Sequence, residues 1–485
     1  MMQVSTSVAE LCVNLISSAF QRCRASEDVC RLSVVLKSSL PSDPSAVRIS
    51  ISDTGIGSSL EEFQSLKGTS EALDAEQWDG LLRVTTTSAS DNEVYFYLLN
   101  FRETSSSRRL TRLPSKPKNG AKFSGTEAYL SISDSIDVLA EVVKHFFQKI
   151  LILKIPNVAV ELVIEREDVP GSRRQNVFLA NESNTMPCFT SNVEGLKSGL
   201  EDYVLKHGHR LTQNCDSCFP TREYLKVGSG VVSSLESHGS SGLIMEVAIT
   251  ISELDPTCPC FSQCSSKTEV LSFEDFNPCS ISKSFLNALS SIDWKSYGMT
   301  LRNVVDQGGC FLEWDNLPSQ NHMTMVLHCY HKQAIVPSTR CKTQSNCNLV
   351  KRALKIALDD LKENCAGVLL SAHALKIRSY APDLARSIAG LILSSNDSDF
   401  KEECLSLIGL QCKESEGEIV KDCIQEKIVS VIDMNDRKPQ RRKEMAAAVA
   451  VAPSLFEDDR CWTSNFRDKE YQGEDDSEDL FDFLD

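Results

Sequence analysis

One segment constrains the fold more than any other. In residues 46–57, AVRISISDTGIG, apolar side chains at Val47, Ile49 and Ile51 alternate with polar ones and end at an acid and two glycines. Period-two alternation predicts a strand with one buried face, and the glycines predict a tight turn at its end. Such a strand needs neighbouring strands and a helix over its apolar face. Both can be read nearby. LSVVLK (32–37) reads as a strand, and Val8, Leu11, Leu15 and Ala19 recur at helical spacing. VYFYLLNF (94–101), FSGTEAYLSIS (123–133) and VAVELVIE (158–165) read as further strands, with a helix over VLAEVVKHFFQKILILK (138–154). SSSRRLTRLPSKPKNG (105–120), with two prolines, reads as a polar loop. Residues 1–165 therefore form one α/β unit.

The chain continues with residues 166–240, rich in Ser, Asn and Gly and weakly periodic, which read as a poorly defined connecting region. From 241 to 395 the pattern firms into a second α/β or α+β domain. Its strands are GLIMEVAITIS (242–252), CFLEWDNL (310–317) and MTMVLHCYH (323–331), with a helix over KSFLNALSSIDWKSYG (283–298). One long amphipathic helix is expected from about 349, with Leu354, Leu358, Leu361, Val368 and Leu375 on its apolar side, and Pro382 is expected to break or kink it. A helical segment follows over 396–433, and residues 434–485, basic and then acidic, read as a disordered tail.

Charge and cysteine content narrow the function. The net charge is −16, which opposes a non-specific coat on DNA and leaves contact with nucleic acid to a local basic patch or a partner. The 19 cysteines read as reduced thiols, since the first residues hold Glu10 and no basic run of the signal-peptide kind. No run of about 18 apolar residues predicts a membrane span.

Two short segments carry chemistry. Glu10 and Asn14, four apart, project from one face of the first helix. A carboxylate there can act as general base on a water, and an amide can ligate magnesium beside phosphates. Asp53 can accept from the exocyclic amine of adenine, and Gly55 and Gly57 let backbone approach the ring. This pairing resembles the GHKL superfamily, with its E-x-x-x-N helix and D-x-G-x-G turn, and Gly125-Thr126 matches that family's later Gly-Thr. Asp293-Trp294-Lys295-Ser296-Tyr297-Gly298 resembles the W-K-x-Y-G segment of the transducer in B-type topoisomerase VI chains, where the lysine reaches the nucleotide's terminal phosphate. The likeness covers roughly residues 1–395 and is greatest to the meiotic topoisomerase VI B-like family in its plant-type form. It implies a GHKL-type α/β sandwich followed by a transducer domain with a long C-terminal helix.

The phosphate end departs from that pattern. LKGTSEALDAEQWDGLLRVTTTS (66–88), in the place of the glycine-rich lid, holds only Gly68 and Gly80, and Ser17 stands where the family has a second acid. The stretch before Glu10 is also short for the strap that active dimers exchange. Without lid amides the triphosphate lacks a preorganised cradle. The resemblance thus implies a B-type subunit that is non-catalytic or binds nucleotide weakly, with Glu10 a vestigial base and Asn14, Asp53, Gly55, Gly57, Thr126 and Lys295 as nucleotide contacts. ATP and Mg2+ are the only cofactors it suggests, and an active Mg-ATP-dependent gate is the alternative. Its partner is a topoisomerase VI A-like, Spo-type DNA-cleaving subunit, in a heterotetramer with two copies of each chain, forming meiotic double-strand breaks in the nucleus. Contact with DNA would run mainly through that partner. Leu354, Leu358 and Leu361 are the expected docking residues, their apolar face being the motive. Cys215, Cys218, Cys258, Cys260 and Cys264 have spacings compatible with zinc, and His207 and His209 flank a glycine. In so cysteine-rich a chain no metal centre is expected. Arg437, Lys438, Arg441, Arg442 and Lys443 suit a nuclear import address or a solvated linker equally.

Overall fold

The computed structural model describes residues 6–38, 46–65, 78–103, 109–133, 135–166, 174–179, 193–207, 222–234, 242–253, 266–306, 310–317, 321–331, 347–365, 367–410 and 417–436. The alternating segment becomes β2 (Val47–Asp53), whose Val47, Ile49, Ile51 and Asp53 are buried while Arg48 is exposed. β2 sits inside an eight-stranded sheet with β1 (Cys30–Ser38), β3 (Leu81–Thr87), β4 (Glu93–Asn100), β5 (Leu110–Pro117), β6 (Gly125–Ile132), β7 (Val158–Arg166) and β8 (Arg174–Leu179). The order is β5-β4-β3-β6-β2-β1-β7-β8, antiparallel throughout except where β1 runs parallel to β7. Helices α1 (Thr6–Arg24) and α3 (Ile136–Ile150) pack on the buried side, and a short α2 (Leu60–Ser65) follows the glycine turn. α1 buries Val8, Leu11, Leu15 and Ala19, and α3 buries Leu139, Val143, Phe147 and Ile150. Each large side chain so buried contributes about 1.5–3 kcal/mol.

Within residues 1–165, two strands were not legible. β3 falls at the end of the lid-like stretch, and β5 runs through the segment read as a loop. β5 tolerates Pro114 and Pro117 because it is the outermost strand, where a missing N–H leaves no ladder bond unmade.

A second sheet follows α4 (Val193–His207). It contains β9 (Leu225–Ser233), β10 (Leu243–Glu253), β11 (Lys267–Glu274), β13 (Leu301–Asp306), β14 (Cys310–Trp314) and β15 (Asn321–His331), ordered β13-β14-β11-β15-β10-β9, with β12 (Asn277–Cys279) hairpinned on β11. The described strands of 166–240 thus divide between the sheets: β8 closes the first and β9 opens the second. β10 is buried on both faces. Met245, Val247, Ile249 and Ile251 join a core with α5 (Lys283–Ser290) and α6 (Cys347–Asn364), while Ala248 joins the core shared with α4 and the first domain. α6 lies directly on β9, because a Cβ at Gly228 would stand 2.4 Å from the Ala357 carbonyl oxygen and one at Gly230 would stand 2.2 Å from that of Ala353.

This packing corrects two expectations. Leu354, Leu358 and Leu361 are each 0% exposed in their own domain's core, so they cannot form a docking face. The long helix is also two helices. α6 ends at Asn364, Gly367 turns the chain at φ 72°, Leu369 and Leu370 are buried, and α7 runs from Ala372 to Ser394. Val368 and Leu375 continue the seven-residue spacing of Leu354 and Leu361, which hides the break from periodicity. Pro382 lies inside α7 and does not end it. α8 (Ser398–Ile408) and α9 (Gly417–Asp436) pack with α7 around Ala385, Ala389, Leu405, Val420 and Ile424. The ten described cysteines are free thiols. Among the described residues no helix is long and apolar enough to cross a membrane, and no cluster of His, Cys, Asp and Glu could hold a metal ion. Gly68, His209, Cys215, Cys218, Cys258, Cys260, Cys264 and the run 437–443 lie outside the described residues.

Candidate functional site

The row of β2 that packs against α1 ends at Asp53, so Asp53 and α1 share one side of the sheet. Ladder pairing sets Thr126 of β6 opposite Asp53, and Thr86 of β3 opposite Thr126. The two threonine hydroxyls are 2.9 Å apart, the Thr126 hydroxyl donates to Ser58 Oγ at 3.2 Å, and the Ser58 N–H donates to Thr86 Oγ1 at 2.9 Å. Three glycines make the turn possible. A Cβ at Gly55 would stand 2.5 Å from the Arg22 backbone carbon, one at Gly57 (φ 85°) would meet the Thr87 carbonyl, and one at Gly125 (φ 149°) would meet that of Asp53. The sequence thus brings Asp53, Gly55, Gly57 and Thr126 into one corner, as the resemblance implies.

Arg22, in the last turn of α1, was not anticipated. Its Nε and Nη2 donate to Asp53 Oδ2 at 3.0 and 2.7 Å, and Nη1 pairs with Glu62 of α2. The Gly55 N–H donates to Asp53 Oδ1 at 3.0 Å. The Asp53 side chain is fully buried, and that desolvation pushes its carboxyl above the usual range, while the arginine pulls it back down. Glu62 is raised for the same reason, again opposed by Arg22. A carboxylate has about four lone-pair sites, and three of the bonds around Asp53 are already made within the chain. The adenine amine would have to compete with a bidentate, charge-assisted pair. The residues at this corner therefore do not fit adenine as Asp53 was expected to hold it. One sequence signal could have found Arg22: Glu10, Asn14, Ser18 and Arg22 are spaced by four along one helix.

Glu10 and Asn14 are exposed on α1, and Asn14 stands eight residues before Arg22, about 12 Å along the axis. Ser17, where the resemblance leads one to expect an acid, donates to Asn277 Oδ1 in the second domain. Gln21 Nε2 donates to the Asp275 carbonyl at 2.9 Å, and the Arg24 guanidinium lies 4.1 Å from the centre of the Phe276 ring. Asp275 and Phe276 form the β11–β12 turn, both at positive φ (45° and 68°). Beneath that turn, Tyr330 and His328 bond Glu246 at 2.9 and 3.2 Å in a buried cluster.

Lys295 is not brought to this corner. Trp294 and Tyr297 seat the Trp-Lys-Ser-Tyr turn in the core with α5 and α6, on the sheet face opposite Ala248 and the first domain. Trp294 Nε1 donates to the Leu289 carbonyl at 2.9 Å and the Tyr297 hydroxyl to Asp359 Oδ1 at 2.7 Å, leaving Lys295 exposed on that far side.

Fold and corner together define a chain of two joined α/β domains, each built around one sheet, with the Asp53–Thr126 corner in the first. Two family models match it: the MTOPVIB middle domain over residues 193–365 and the meiotic topoisomerase VIB-like C-terminal domain over residues 373–437. Both models describe domains of meiotic topoisomerase VIB-like proteins. No curated protein matches it. Solved structures similar to it include the N-terminal domain of a DNA repair protein (10% identity, 72% of this chain and 92% of that chain covered, TM-score 0.34). Others are the DNA gyrase B-subunit from Myxococcus xanthus (12%, 66% and 78%, 0.33) and the ATPase and transducer domains of DNA topoisomerase II from Balamuthia mandrillaris (7%, 72% and 84%, 0.29).

Proposed function

We propose that this chain is a B-type subunit that supports an A-like, Spo-type DNA-cleaving partner in forming meiotic double-strand breaks, and that it does so in the nucleus without hydrolysing nucleotide. The observation that carries the second half is the buried Arg22–Asp53 pair, which engages the carboxylate adenine would need. The exposed Glu10 and Asn14 and the remote Lys295 support the same reading. ATP and Mg2+ then have no required role. Titration of the purified chain with a labelled ATP analogue, with and without magnesium, is expected to show no saturable, magnesium-dependent binding. Saturable binding that Asp53→Asn abolishes would overturn this.

The partner surface moves from α6 to α7. Ile377, Tyr380, Leu384 and Leu391 recur at spacings of three, four and seven, and Tyr380 is 58% and Leu391 70% exposed. An apolar stripe at heptad spacing on one helix suits docking against another helix. It lies within the segment matched by the family's C-terminal domain. Tyr380→Asp with Leu384→Asp is expected to abolish co-purification with the A-like partner and to leave the monomer folded. If this double variant still captures the A-like partner undiminished, the stripe is rejected as the interface.

A further inference from the structure

We propose that the β5 edge of the first sheet binds the phosphate backbone of duplex DNA. The choice of DNA among polyanions rests on the function proposed above. Between Glu103 and Glu127 there is no acidic residue, but there are Arg108, Arg109, Arg112, Lys116, Lys118 and Lys122, in a chain whose net charge is −16. Charge so segregated makes a local positive field within a negative molecule.

The fold puts most of this charge on the surface. Among the described residues β5 pairs only with β4 and is otherwise the rim of the sheet. Arg112, Lys116 and Lys122 are exposed, whereas Lys118 is buried and donates to the Ser88 and Phe123 carbonyls at 2.6 and 2.8 Å, fixing the turn that follows. Arg112 lies 5.0 Å from the Tyr95 ring centre, Lys116 5.5 Å from that of Phe96, and the half-buried Arg109 4.1 Å from that of Phe101. Aromatic faces orient a cation without neutralising it. Among the described residues none of these cations has a carboxylate partner, and the nearby Glu93 accepts from the Ser115 hydroxyl instead. Pro114 and Pro117 remove two N–H donors from the rim, so it is poorly built to add another strand. What remains for a partner to read is side-chain charge, and phosphate contacts of this kind set position without selecting sequence.

The test uses the full chain alone, without the A-like partner, so it is independent of partner docking. Binding to a duplex of mixed sequence is measured between 50 and 200 mM salt for the parent and for the triple variant Arg112→Gln, Lys116→Gln, Lys122→Gln. Each phosphate contact adds about 0.9 to the slope of log affinity against log salt. The parent is therefore expected to be steeper by about 2.7, a roughly 40-fold larger loss of affinity over that range. A second variant, Lys283→Gln, Arg302→Gln, Lys355→Gln, changes net charge equally at exposed positions elsewhere and is expected to keep the parental slope. Equal slopes for parent and β5 variant, or an equal loss in both triple variants, would overturn the proposal. So would a poly-glutamate peptide that binds the rim while duplex DNA does not. Thermal melts of the variants check that all three chains remain folded.

Discussion

Replacing Arg22 by alanine tests the corner most directly. The Asp53 carboxyl is fully buried, the Arg22 side chain is 8% exposed, and two of the bonds to Asp53 come from that guanidinium. Removing it strands a buried carboxylate with the Gly55 N–H as its remaining described partner, and breaking a buried ion pair in this way costs about 3–5 kcal/mol. The loss has a pH signature. Burial already raises the Asp53 carboxyl, and Arg22 is what lowers it, so the variant's folded carboxyl rises further above its unfolded value of about 3.9. A carboxyl raised in the folded state favours folding at low pH and loses that contribution as pH climbs through its folded pKa. The penalty of Arg22→Ala is thus expected to be smallest near pH 4 and to grow toward neutrality. Urea unfolding, with amide exchange at β2 and α1 as the local reporter, measures both. Arg22→Met combined with Asp53→Leu removes both charges and is expected to recover much of the loss. A penalty below about 1 kcal/mol, or one independent of pH, would refute an energetically coupled pair here.

Two further outcomes are expected. His322 is buried with both ring nitrogens unpartnered among the described residues, and burial lowers it from an ordinary 6.5 to about 4. A histidine depressed in the folded state lends stability that is lost as pH falls from its unfolded value, so acid should cost the parent about 3 kcal/mol between pH 6.5 and 4 that His322→Phe does not lose, read as the difference between their urea stabilities across that range. Leu358→Ala, at a fully buried position of α6 in the second domain's core, should destabilise that domain by about 2–5 kcal/mol in thermal or urea unfolding and leave the α7 stripe able to capture a partner.

The sequence revealed what local periodicity encodes and missed what depends on contact across the chain. β2 and its glycine turn were readable because alternation and turn chemistry lie within twelve residues. The corner's composition, Asp53 with Thr126, followed from the family resemblance of the two motifs. Its chemistry did not, because the arginine that occupies Asp53 comes 31 positions earlier and carries no turn or cap signature. The α6–α7 break was hidden by apolar spacing that stays in phase across Gly367. The docking leucines were misplaced for a related reason. An amphipathic stripe says that a face is covered, and here Gly228 and Gly230 show that the cover is the chain's own strand.

α1 carries a further consequence. Within four residues it holds Gln21 and Arg24 against the β11–β12 turn and Arg22 against Asp53. A gate driven by a ligand needs its two halves to slip past each other when the ligand arrives. Here one rigid rod is stitched to both halves, so freeing Asp53 by turning that rod would also tear it from Phe276. On the function proposed above, α1 serves as a brace between the two domains and not as a hinge.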